Sequence, residues 1–93
     1  MTVDVDNILK DLRAAAKYFL LAEESFGAES MLQVTDGLIA LSSHLPPQAQ
    51  YTLNQLVGQA FAAQQRHDLI GLADYLNVEL YDFIQQLDKQ SVN

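Results

Sequence analysis

Cysteine is missing from the chain, and with it go disulfides, thiolate catalysis and cysteine-based zinc sites. Bases are scarce: five lysines and arginines stand against twelve aspartates and glutamates, a net charge of −7. Such a charge repels phosphate backbones and anionic lipid headgroups alike, so nucleic acid and membrane surfaces are not expected partners. No apolar run approaches the ~18–20 residues that a membrane span requires. The N-terminal MTVDVDNILKDLR places acids in its first turns and lacks the basic-then-apolar order of a signal peptide, which makes a cytoplasmic location the expectation.

Other chemistries are short of parts. Gly27, Gly37, Gly58 and Gly71 are isolated from one another, so no phosphate cradle is spelled out. Ser25, Ser30, Ser42, Ser43 and Ser91 lie at or near expected helix ends, with no nucleophile-elbow motif around any of them. Helical bundles can hold di-iron sites through Glu-x-x-His pairs, and none occurs here. His44 and His67 sit near helix ends, where exposed carbonyls suffice to explain a histidine. Neither a metal, a cofactor nor an enzymatic activity is expected.

What the chain does contain is apolar periodicity. Nearly half of its 93 residues are apolar (49%), enough for one domain with a thin but adequate core. Val5, Ile8, Leu12, Ala15, Phe19, Ala22 and Phe26 recur in steps of three and four, predicting a helix over about 5–26 with Asp4 or Asp6 as its cap and Gly27 at its end. Met31, Val34, Leu38, Leu41 and Leu45 predict a second over about 29–44, stopped before Pro46. Pro47 suits a helix start, because a first-turn proline gives up an N–H that had no partner. The third helix then spans about 47–65, with Ala49, Leu53, Leu56, Ala60 and Ala63 in register and Val57 and Phe61 widening the stripe. Asp68 is placed to cap a fourth over about 69–88, whose stripe reads Leu69, Ala73, Leu76, Leu80, Phe83 and Leu87. The polar ending KQSVN is expected to fray. The fold class is therefore all-α. With short turns, an antiparallel, up-and-down four-helix bundle is the most economical arrangement, and two packed helical hairpins the alternative.

On the fourth helix a wheel at ~100° per residue sets Asp74 on the far side with Val78, Tyr81 and Gln85. Tyr75, Glu79, Asp82 and Gln86 line one flank of the stripe, with Glu79 the acid expected to be half-buried. Burial would favour its neutral form unless Lys10, Arg13 or Lys17 reached it. The ordinary reading is an interhelical salt bridge or hydrogen bond, since no second acid or base aims at the same point.

The third helix carries the better functional clue. From Pro46 to Gln65 there is no charged residue. Opposite its stripe stand Tyr51, Gln55, Gly58 and Ala62, and a mid-helix glycine costs about 1 kcal/mol relative to alanine. This face is either a contact surface for a second copy or another protein's helix, or a glutamine-rich solvated face with an incidental glycine. The tyrosines, Tyr18, Tyr51, Tyr75 and Tyr81, all fall off the stripe centres, where rings cover apolar surface and hydroxyls stay wet.

The segment HDLIGLADYLNVELYDFIQQL, residues 67–87, resembles the closing helix of a family of small uncharacterised helical proteins of Gram-positive bacteria. The shared run is Leu72, Ala73, Asp74, Tyr75, Leu76, Asn77, Val78, Glu79 and Leu80, and Gly37, Leu38, Ile39 and Leu41 look like the family's second helix. Where that family has a proline or leucine pair after the last Glu-Leu, this chain has Tyr81 and Asp82. The resemblance implies a bacterial cytoplasmic helical protein, some of whose relatives sit in motility contexts. It transfers no catalytic residue and favours Asp74 and Glu79 as partner-facing groups.

These readings converge on a non-enzymatic, protein-binding helical module, adaptor or chaperone-like. Tyr51, Gln55, Gly58 and Ala62 are the candidates for self-association, and Tyr75, Glu79 and Asp82 for a partner. The alternatives are a small regulatory inhibitor or antitoxin with an acidic surface, and a ligand carrier or enzyme using Glu79.

Overall fold

Asp4 opens the first helix as its position suggests: in the computed structural model, which describes residues 3–91 with side chains to 87, its carboxylate accepts the Asn7 N–H at 3.0 Å. That bond satisfies one of the donors a helix start leaves without a partner. The elements that follow are α1 (Val5–Leu20), α2 (Glu24–Ser42), α3 (Pro47–Gln65) and a fourth helix made of α4 (Leu69–Asp74), a π-helical segment (Tyr75–Leu80) and α5 (Tyr81–Ser91). The described residues contain no strand, and the four helices form a bundle. α3 starts at Pro47, as its missing N–H predicts. Helix continues to Ser91, and the last two residues of KQSVN lie outside the described ones.

The first boundary differs from expectation. α1 stops at Leu20, and the cause is Ala22, which takes a left-handed backbone conformation at φ 58°. The Ala22 N–H donates to Phe19 O at 3.0 Å and the Glu23 N–H to Tyr18 O at 2.8 Å, the paired bonds of a Schellman cap. Gly27, expected at the helix end, lies inside α2 and is buried. A Cβ there would come within 2.6 Å of the Phe19 ring, so the missing side chain lets α1 and α2 close. Ala22 and Phe26, expected on the core stripe, are exposed. Phe26 instead stacks on Tyr18, with ring centroids 5.7 Å apart, across the turn. The same cap recurs after α3. His67 is left-handed at φ 57°, its N–H donates to Gln64 O, and the Asp68 N–H donates to Ala63 O at 2.9 Å. Asp68 then caps the fourth helix through the Gly71 N–H at 3.0 Å.

Ile8, Leu12, Ala15, Ala16 and Phe19 of α1 are buried against α2 on one side and along the whole fourth helix on the other. α3 packs on α4 and the π-helical segment through Leu53, Ala60 and Ala63. Leu12, Leu53, Leu72, Leu76, Leu80, Ile84 and Val34 are the largest fully buried side chains, each contributing about 1.5–3 kcal/mol of transfer free energy.

The fourth helix buries Leu72, Ala73, Leu76, Leu80 and Ile84, while Leu69, Phe83 and Leu87 are half-buried. Four of the buried residues are spaced by four. In a regular α-helix each such step drifts about 40°, so Ile84 would sit about 120° away from Leu72. The π-helical segment, with its wider i→i+5 turn, absorbs the extra residue and holds all four on one line. It also turns the following residues relative to a straight wheel. Tyr81, expected on the back, is half-buried, and Glu79, expected half-buried, is exposed.

Candidate functional site

Glu79 is exposed and forms no ion pair with a described residue. The guanidinium of Arg13 lies 4.0 Å from the Tyr81 ring centroid, a cation–π contact that ties α1 to α5. Neither Lys10 nor Lys17 forms an ion pair with a described residue. Tyr75 is half-buried, and Asp74 and Asp82 are exposed. Among the described residues no polar or charged side chain is buried, and no group of three or more His, Asp or Glu is gathered as metal ligands. No described helix is long and apolar enough to cross a membrane.

The structure does bring Tyr51, Gln55, Gly58 and Ala62 together on the outer side of α3, around a shallow concavity they share with Asn54 and Gln59. The Gln55 amide donates to the Tyr51 hydroxyl at 2.7 Å, so two polar groups of this face satisfy each other. A Cβ at Gly58 would meet nothing within 4 Å. Nothing within the fold requires a glycine there.

Beside that face runs a seam that the sequence reading did not single out. α2 and α3 approach each other less closely than the other neighbouring helices do, and polar contacts pin them at both ends. At one end the Gln50 amide donates to Ser42 O at 2.7 Å; at the other, His67 Nδ1 lies 3.3 Å from Glu24 Oε2. Between these pins the seam is apolar. Thr35, Leu38, Val57 and Phe61 line a void of about 10 Å³ floored by Leu76 and Leu80. Leu32 and Ile39, three residues before and four after Thr35, stand at its edge and are 68% and 64% exposed. Phe61 across the seam is 38% exposed. Their signal was present as one heptad of spacing, out of phase with Met31, Val34, Leu38 and Leu41. A search for a core passes over it.

Comparison of the chain with protein-family models, with curated proteins and with solved structures gives no match.

Proposed function

We propose that the chain is a protein-binding helical module that packs the outer face of α3 against a second copy of itself. The observation that carries this reading is an uncharged helix in a chain of net charge −7: α3 has no acid or base from Pro47 to Gln65. Two such chains repel through most of their surfaces, and α3 is the helix where they can meet without opposing carboxylates. Exposed Tyr51 supplies apolar area with a polar tip. The bare Cα of Gly58 lets a second backbone come close at the centre of the face. Tyr75, Glu79 and Asp82 offer a second, acidic contact surface for a different protein.

Light scattering tests the self-association directly. The wild-type chain is expected to be a dimer, and Gly58→Glu, which buries a charge in the contact, a monomer of unchanged helicity by circular dichroism. A wild-type chain that stays monomeric at high concentration overturns the reading.

A further inference from the structure

The α2–α3 seam is a separate surface with its own charge pattern. From Tyr18 to Gln65 the chain has no lysine or arginine, while Glu23, Glu24, Glu29 and Asp36 all fall within that stretch. Glu29 precedes Leu32 by three residues, and Asp36 lies four after Leu32 and three before Ile39, so both acids border the exposed apolar stripe of α2. Both are exposed, and neither forms an ion pair with a described residue. The α3 edge of the seam carries no charge at all. A second copy docked by this same seam would bring only acids to those acids.

We propose that the α2–α3 seam docks an amphipathic helix of another protein, apolar toward Leu32, Ile39 and Phe61, with lysine or arginine along the edge that faces Glu29 and Asp36 and uncharged residues along the edge that faces α3. The two halves of the pattern have different physical work. Leu32, Ile39 and Phe61 lose solvent-exposed apolar area when covered, which supplies the affinity and is read as anchors at helical spacing. Glu29 and Asp36 fix which flank of the incoming helix lies over α2, and so its direction, because only one orientation brings its cations to them. The polar contacts at Ser42–Gln50 and Glu24–His67 tie the two walls together at the ends of the seam. This docking does not rest on α3 self-association, which uses the neighbouring face of α3 around Tyr51, Gln55, Gly58 and Ala62.

The probe is a synthetic, end-blocked peptide of about 18 residues, five helical turns, with leucines on one face, lysines along one flank and glutamines elsewhere. Binding to the whole chain is followed by calorimetry, beside a scrambled peptide of identical composition and an analogue with glutamate for lysine. The amphipathic lysine peptide is expected to bind, the other two at least about tenfold more weakly. Replacing both exposed anchors, Leu32→Ser with Ile39→Ser, is expected to weaken binding about tenfold or more while leaving helicity unchanged. Glu29→Gln with Asp36→Asn should weaken it about two- to tenfold and flatten its salt dependence, whereas Asp74→Asn with Glu79→Gln should leave it unchanged. Equal binding of the scrambled peptide, equal loss from the Asp74 and Glu79 pair, or no binding at about 1 mM overturns the proposal. An ordered chain that dimerises but ignores the peptide removes the seam and leaves the α3 reading standing.

Discussion

Ala22 and His67 occupy backbone conformations that side chains disfavour, at φ 58° and 57°, and each ends a helix. A left-handed non-glycine residue costs about 1–2 kcal/mol through its Cβ. Glycine removes that cost and loses about 0.4–1 kcal/mol to the greater freedom of the unfolded chain. Ala22→Gly is therefore expected to stabilise the protein by about 0.5–1 kcal/mol, read as a raised urea midpoint at constant m-value. No change would mean that Ala22 is unstrained. Gly27 and Gly58 form an opposed pair. Gly27→Ala drives a Cβ into the Phe19 ring and should destabilise by about 1–3 kcal/mol, while Gly58→Ala enters open space and should stabilise by about 1 kcal/mol through helix propensity. If α3 is a contact face, the same Gly58→Ala weakens the dimer, so stability and association move in opposite directions. Which glycine was structural could not be read from spacing. Gly27 stands where a cap is expected, but the left-handed residue is the alanine five positions earlier, and only the position of Phe19 reveals what Gly27 is for.

At the scale of elements, the π-helical segment makes a prediction that a regular helix would not. Deleting Asn77, an exposed residue within Tyr75–Leu80, closes the wide turn and leaves the buried residues spaced by four, three and four, an ordinary α-helical stripe. The deletion variant should keep its helicity and cooperative unfolding. Deleting Gln59 from regular α3 instead turns Ala60 and Ala63 by about 100° out of the core and should lower stability sharply. If both deletions are equally damaging, the π-helical segment is not what keeps Leu72 and Ile84 in line. The same segment explains why the sequence disclosed some elements better than others. α3 was legible to the residue, since Pro47 is punctuation that no packing overrides, and Asp4 and Asp68 cap as their side chains predict. The fourth helix was legible in extent but not in phase. A wheel with one fixed angle cannot absorb an inserted residue, and it therefore placed Glu79 and Tyr81 on each other's side. The α3 face was legible because an absence of charge needs no coordinates. The α2–α3 seam was not, because it depends on how far apart two helices stand.

For the whole molecule, the balance of charge decides how stability responds to salt. Twelve acids face five bases, and the charged contacts among the described residues are exposed: Arg66 pairs with Asp68 at 3.7 Å, and the His67 ring lies 3.3 Å from the Glu24 carboxylate. Exposed pairs contribute about 0–1 kcal/mol, so screening them loses little. Repulsion has more to give back. The bundle is 19–21 Å across its short axes, less than the screening length of about 30 Å at 0.01 M salt and well over the ~8 Å at 0.15 M. Its carboxylates therefore sense one another across the bundle's width at low salt and only locally at higher salt. The thermal midpoint is expected to rise between these two conditions, and a fall would show that ion pairs outweigh repulsion. A cationic helix in the α2–α3 seam relieves the same repulsion at Glu29 and Asp36 by direct contact. The stabilisation it confers at saturation should accordingly shrink as salt is added, leaving only the part due to Leu32, Ile39 and Phe61. Differential scanning of the chain with and without the lysine peptide at both salt concentrations measures that difference. A peptide increment that does not change with salt would assign the docking to apolar burial alone and remove Glu29 and Asp36 from it.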